Sequence, residues 1–414
     1  MSYFHYRDRE FYVEDIPVKT IVAETGTPVY IYSQKAIFDQ IKKYEEAFSK
    51  INHITCYALK ANSNSSVINL VAQNGLGGDI VSGGELYRAL KGGIPANKIV
   101  YSGVGKTDTE IAYALAEGIL MFNCESTQEL NQINTIAQKM GKKAPVALRV
   151  NPDINANTHP YISTGLKKNK FGISIEKAKS EYSRAKGLDF IEVKGVHFHI
   201  GSQIIELSPF SEAFDRIGRF VKELQDNDIS IQYLDIGGGL GISYKDERPP
   251  EVSDLASLIA PLAKEIGCCI ISEPGRMIVG NAGTLVTRVL YLKDNSEKRF
   301  IIVDAAMNDL IRPSIYSAYH EIVPVLHRDT NEVAYNYDIV GPICESGDFL
   351  AKDRLLSPPK VNDLLAVMSA GAYGFSMSSN YNSRPRPSEV MASGDTFTII
   401  RGRETYEDLI RLER

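Results

Sequence analysis

DIVSGGELYRALKGGIPANKIVYSG, residues 79–103, holds one complete strand–helix–strand repeat. Its ends, DIVS (79–82) and IVYSG (99–103), are short β-branched and aromatic runs, and GELYRALKGG between them carries apolar residues at helical spacing. The alternation continues outward in both directions. ITCYALK (54–60) precedes it, and LMFNCES (120–126), PVALRVN (145–151), VKGVHFH (193–199), IQYLDIG (231–237) and CCIISEPG (268–275) follow. Segments such as SVINLVAQ, DTEIAYALAEG, TQELNQINTIAQKMG and PFSEAFDRIGRFVKELQ fill the gaps with helical patterning. Eight β/α units in about 220 residues are the number and size of a TIM (β/α)8 barrel. Burial of both faces explains why these strands are nearly continuous apolar runs.

The texture changes after residue 284. RFIIVDAA, EVAYNYDIVG, DLLAVMSAG and DTFTIIRG are strand-like and joined by turn residues, which predicts a C-terminal all-β domain. The expected organisation is α/β, with a barrel over 35–284 and a β domain over 285–414. The first 34 residues, which break the barrel rhythm, are expected to pack on the β domain.

Composition narrows the function. The 414 residues are 43% hydrophobic and 23% charged, with a net charge of −5 and no long single-sign run. That is an ordinary globular balance, without the basic footprint of a nucleic-acid binder or a polybasic membrane anchor. No apolar stretch approaches the roughly 18 residues of a membrane helix. MSYFHYRDREFYVEDIP lacks the apolar core of a secretory signal, and the five cysteines contain no C-x-x-C pair. A cytoplasmic protein is expected.

Barrel enzymes place their chemistry at the C-terminal ends of the strands. Those ends carry Lys60, Asp79, Ser102, Arg149, His199, Gly237 to Gly239 and Glu273. Lys60 reads either as a lysine snorkelling to solvent or as a Schiff-base amine. GGGLG (237–241) fails the dinucleotide fingerprint because Ile242 occupies its last position, but it can offer backbone N–H groups to a phosphate. SEPGR (272–276) supplies a carboxylate and a guanidinium around a Pro-Gly turn; Glu273 and Arg276 could be a surface pair, or Glu273 could serve a pyridine nitrogen. H-F-H (197–199) puts two imidazoles on one strand face, as a metal-dependent hydrolase would need, but no further histidine sits at a strand end. A His199 ring stacked on a flat cofactor is the better reading, and the metal expectation is none. GKT (105–107) is not a Walker motif, because Val100 stands where glycine is required, and Thr107 or Asp108 reads as a helix N-cap.

In order, CYALKAN, GVHFHIGSQ, DIGGGLG and SEPGR resemble the signature segments of the fold-type III pyridoxal phosphate-dependent decarboxylases, in which an alanine-racemase-like barrel precedes a C-terminal β domain. HPYISTGLKKNKFGI (159–173) and GPICESGDFLAKDR (341–354) narrow the resemblance to the branch acting on diaminopimelate. It extends from TPVYIYS (27–33) to YGFSMSSNYNSRPRP (373–387). It implies pyridoxal phosphate as cofactor, carried by Lys60, stacked on by His199 and held at its ring nitrogen by Glu273. Ser202, Gly238, Gly239, Gly275, Arg276 and Tyr373 are expected around the phosphate, and Asp79 and Arg149 behind the site. Arg276, Arg312 and Tyr316 are expected at the distal carboxylate of an amino-acid substrate, and Glu345 at its distal ammonium, with Tyr373 also at the substrate. Cys344 is expected to donate a proton. The resemblance also implies a homodimer in which Cys344, Glu345 and Tyr373 come from the partner. An ornithine- or arginine-type decarboxylase and an amino-acid racemase are the rivals on the same barrel.

Overall fold

The computed structural model describes residues 3–155, 170–327 and 333–414. Of the segment 159–173, only 170–173 falls within them. The chain divides into two compact units, Ile41–Ile242 with Arg248–Met277, and Met1–Gln40 with Ser243–Glu247 and Ile278–Arg414.

The first unit is the barrel. Its eight parallel strands are His53–Ala58, Gly77–Ile80, Ile99–Tyr101, Met121–Cys124, Ala144–Asn151, Ile191–His197, Tyr233–Asp235 and Cys269–Ser272. Each pairs with the next, and the ring closes where Ile270, Ile271 and Ser272 register with His53, Ile54 and Thr55. All eight sequence-predicted strands are present. Cys56, Val100, Met121, Ala147 and Ile271 form a fully buried cluster, which is why these strands tolerate little polarity.

The intervening helices start and stop where local chemistry directs. Thr107 caps Asp108–Glu117 in a capping box with Glu110, and Ser126 caps Thr127–Met140 through the Glu129 N–H. Gly118 and Gly141 end those helices in left-handed conformations. Ser208–Asp226 buries Phe210, Ala213, Phe214, Ile217, Phe220, Val221 and Leu224, the spacing of one helical face.

The second unit is mostly sheet. Gly283–Asp294 is its spine, pairing with Arg299–Val303, Leu364–Val367 and Val29–Ser33. Val29–Ser33 pairs on its other side, in parallel, with Ser388–Ser393. The N-terminal segment therefore supplies an interior strand of this sheet. Phe4, Phe11, Val13, Ile16, Val18 and Ile21 share a core with Val286, Val325, Ala366 and Val390. Phe349–Leu356 is a strand that sequence periodicity did not indicate, because Lys352, Asp353 and Arg354 interrupt its apolar run.

Candidate active site

Lys60 lies in the single turn Leu59–Ala61 directly after the first barrel strand. The Ala58 N–H donates to the Pro274 carbonyl at 3.0 Å, drawing that turn against the segment after the eighth strand. The Lys60 ammonium is ion-paired with Asp79, whose carboxylate is wholly buried at the end of the second strand. Burial and the negative charge of Glu273 push Asp79 up to about 7, against the pull of Lys60. Its other oxygen, Oδ1, is buried with no hydrogen-bond partner among the described residues.

Glu273 follows the eighth strand and sits in a buried polar network. Ser102 Oγ donates to its Oε1 at 3.5 Å and Asn123 Nδ2 at 3.4 Å. Asn123 also donates to Ser102 Oγ at 3.1 Å and to Asp235 Oδ2 at 3.0 Å, while the Gly237 N–H donates to Asp235 Oδ1 at 3.0 Å. Burial works to raise Glu273, but His197, at 3.7 Å, together with the charge of Lys60, holds it below the usual carboxylate range. Asp235 moves the other way, raised by burial and by Glu273. Within this cluster the proton belongs on Asp235 and the charge on Glu273.

His199 stands two residues beyond the sixth strand. Burial first, and then the charge of Arg149, lower it to about 3, so its ring is neutral at ordinary pH. Its Nδ1 accepts the Gly238 N–H at 3.2 Å, which places the ring proton on Nε2. The glycines beside it leave no room for side chains. A Cβ on Gly238 would lie 2.3 Å from the Glu273 carbonyl oxygen, and one on Gly239, at φ +119°, 2.5 Å from the Gly201 oxygen. Gly275 packs where a Cβ would stand 3.0 Å from the methyls of Ala58 and Ala61.

Arg276 is buried and donates to Ser202 Oγ at 3.0 Å, so it forms no surface pair with Glu273. Arg149 turns to Glu125, donating from Nη1 to Oε1 at 2.8 Å, and its guanidinium covers the Phe171 ring at 4.6 Å. Glu125 Oε2 accepts the Gly172 N–H at 2.8 Å, so this pair braces the fifth strand and reaches His199 only through its charge.

These residues fit pyridoxal phosphate. An amine at the end of the first strand, a buried anionic carboxylate after the eighth, a neutral imidazole and a close-packed glycine turn meet the chemistry of its aldehyde, ring nitrogen, ring face and phosphate. His197, Asp235 and Glu273 also place three ligand-type atoms within 4.8 Å of one another, a grouping to which His199 does not belong.

The remaining predicted residues lie in the β unit. Arg312 and Tyr316 are the first and last residues of the short helix Arg312–Tyr316, with Arg312 buried and its guanidinium 4.5 Å from the Tyr244 ring centre. Cys344 is the one exposed cysteine of the five, and its N–H donates to Asn382 Oδ1 at 2.9 Å. Asp348 shapes its loop, accepting the Ile343 and Met307 N–H groups, each at 2.7 Å. Tyr381, raised by its hydrogen bond to Glu345, anchors the next carboxylate. Tyr373 adopts φ +55°, a backbone state uncommon outside glycine.

Sequence reasoning passed over Asn123 and Asp235, the centre of the network under Glu273. The available signal was polarity: Asp235 ends an otherwise apolar barrel strand, and Asn123 stands one residue before the end of another.

Comparison with known proteins agrees with this geometry. Residues 34–280 match the family described as "Pyridoxal-dependent decarboxylase, pyridoxal binding domain". The chain is 51% identical to diaminopimelate decarboxylase of Aquifex aeolicus over 99% of this chain and 96% of that protein. It is 50% identical to the Pseudomonas aeruginosa enzyme of the same name, over 99% and 98% of the two chains. The crystal structure of diaminopimelate decarboxylase from Helicobacter pylori complexed with L-lysine superposes with a TM-score of 0.92 at 45% identity, covering 96% of this chain and 99% of that one.

Proposed function

The chain belongs to the diaminopimelate decarboxylases, within the pyridoxal-dependent decarboxylase family, and from that premise we propose how its own side chains carry the reaction. The reaction releases carbon dioxide from meso-2,6-diaminopimelate and yields L-lysine, completing lysine synthesis. Pyridoxal phosphate, when bound, supplies the electron sink.

Lys60 is the amine that would hold the cofactor through its aldehyde and would give up that place to the substrate amine. Asp79, buried and ion-paired with it, fixes the position of the Lys60 amine, which must shed a proton to become nucleophilic. Glu273, held anionic, keeps the cofactor ring nitrogen protonated through a charge-assisted hydrogen bond. His199 covers one ring face. Ser202, Gly238, Gly239, Gly275 and Arg276 hold the phosphate, joined by the Tyr373 hydroxyl, and Tyr373 also faces the substrate. Arg149 holds the wall behind His199.

Arg276, Arg312 and Tyr316 hold the distal carboxylate, and Glu345 holds the distal ammonium. Ornithine or lysine offered for decarboxylation has no carboxylate at that end. A buried arginine left unpaired there costs roughly 3–5 kcal/mol, which selects for diaminopimelate. Cys344 protonates the carbon from which carbon dioxide leaves. We assign Cys344, Glu345 and Tyr373 to the partner of a homodimer, each barrel at 35–284 working with the β domain of the other chain. The exposure of Cys344, a residue type usually buried, supports this assignment. No helix among the described residues is long and apolar enough to cross a membrane, and we place the enzyme in the cytoplasm.

The observation that carries this reading is the ion pair of part-exposed Lys60 with wholly buried Asp79, beside the buried Glu273 network where the first and eighth strands join. It is tested by carbon dioxide release from meso-diaminopimelate with and without added pyridoxal phosphate. Mixing inactive Lys60→Ala with inactive Cys344→Ala tests the shared site. Random exchange gives mixed dimers with one intact site each, so about a quarter of native activity returns. No recovery after demonstrated subunit exchange refutes a partner-supplied cysteine.

A further inference from the structure

His320 lies at no barrel strand end and belongs to none of the motifs above, yet it is completely buried and bonded at both ring nitrogens. Nδ1 is 2.8 Å from the Met368 carbonyl oxygen, and Nε2 is 2.9 Å from Arg312 Nη1. A carbonyl can only accept, so Nδ1 carries hydrogen. A guanidinium can only donate, so Nε2 presents its lone pair. The two contacts demand the same neutral tautomer and lock the imidazole between a fixed backbone oxygen and the guanidinium. Tyr244 completes the clamp, lying under the guanidinium at 4.5 Å and edge-on to the His320 ring at 5.4 Å and 79°. Arg354 Nη2 donates to the His320 carbonyl at 3.1 Å and fixes its backbone.

We propose that His320 is a positioning residue that orients the Arg312 guanidinium for the distal carboxylate of the substrate. This rests on the reading of Arg312 given above. The long arginine side chain has many rotamers, and a fork that binds a carboxylate through two hydrogens works only in the right plane. His320 sets that plane from behind, where it touches no substrate.

The test uses two probes that differ only by a carboxylate, L-lysine and 1,5-diaminopentane, binding to the holoenzyme. Asparagine can reproduce the Nδ1 hydrogen bond to Met368, whereas glutamine can reproduce the Nε2 acceptor facing Arg312. His320→Asn is expected to weaken L-lysine binding and raise the KM for diaminopimelate about tenfold or more, with kcat changed less and diaminopentane binding unchanged. His320→Gln should keep the preference for L-lysine over diaminopentane within about threefold of native. Equal loss in both variants, or no loss in His320→Asn, overturns the proposal. Arg312→Gln is the reference. If it leaves the preference for L-lysine intact, the Arg312 reading fails and takes the proposal with it; if it abolishes the preference while His320→Asn does not, the proposal alone fails. Nitrogen NMR of the native protein gives a reading independent of any variant: the Nδ1–H tautomer at His320 is expected, and an Nε2–H or doubly protonated ring overturns the clamp.

Discussion

Replacing Gly238 by alanine should loosen the cofactor site by a calculable displacement. The added methyl would lie 2.3 Å from the Glu273 carbonyl oxygen and 3.1 Å from its carbon, whereas ordinary contact begins near 3.4 Å. Gly238 or the turn carrying Glu273 must therefore retreat by about 1 Å. Neither can do so alone. The Gly238 N–H is the donor to His199 Nδ1, already at 3.2 Å, and the Glu273 N–H is bonded to the Gly237 carbonyl at 2.8 Å. One methyl thus disturbs together His199, Glu273 and the glycine turn, which we propose for the ring face, the ring nitrogen and the phosphate of the cofactor. Overpacking of this kind costs about 1–3 kcal/mol. Falling on the bound state, that lowers pyridoxal phosphate affinity roughly 5- to 150-fold. Titration of the apoenzyme with pyridoxal phosphate, followed by absorbance, measures it. Gly105→Ala, where nothing lies within 4 Å of the new methyl, is the control. Affinity within twofold of native in Gly238→Ala, with Gly105→Ala also native, would refute the close packing on which the cofactor turn depends.

Two further outcomes are expected. Native His199 stays unprotonated down to about pH 3, but the unfolded chain protonates it near 6.5. Between those values the unfolded state binds the extra proton, so stability falls as pH drops, by up to about 1.4 kcal/mol per pH unit. His199→Gln should flatten the decline in melting temperature between pH 6.5 and 4, and parallel profiles for variant and native would contradict this. Tyr182→Phe removes a buried hydroxyl that accepts the Leu148 N–H at 3.2 Å and donates to the Gly195 carbonyl at 2.8 Å, across the register shift between the fifth and sixth strands. The loss should be roughly 2–4 kcal/mol, read by denaturant unfolding at fixed protein concentration.

The barrel was legible because strands buried on both faces have no choice of composition. Runs such as CYAL and IVY can hardly be anything else once helical segments separate them. Lys60 and Glu273 stood out as ionisable residues at the ends of such runs. Asp235 ends such a run and Asn123 stands one residue before the end of another, but both look like strand-terminating polarity. Only the closed ring shows that they face inward and share the Glu273 carboxylate. Val29–Ser33 was hidden for a different reason. Its partners, Gly283–Asp294 and Ser388–Ser393, are hundreds of residues away, and no local pattern encodes a pairing that distant. His320 escaped notice because it stands behind Arg312 and at no barrel strand end, where sequence offers no periodicity.

The seam between the first and eighth strands has a consequence for how the enzyme comes into being. Lys60 emerges early from the ribosome and Glu273 much later, and on the proposed roles neither serves the vitamin until Ser272 has zipped to Thr55. A half-made ring has nothing to grip with. On that proposal capture of the coenzyme is a late event in biogenesis, and its spectral signature is expected to serve as a clock for ring closure during refolding.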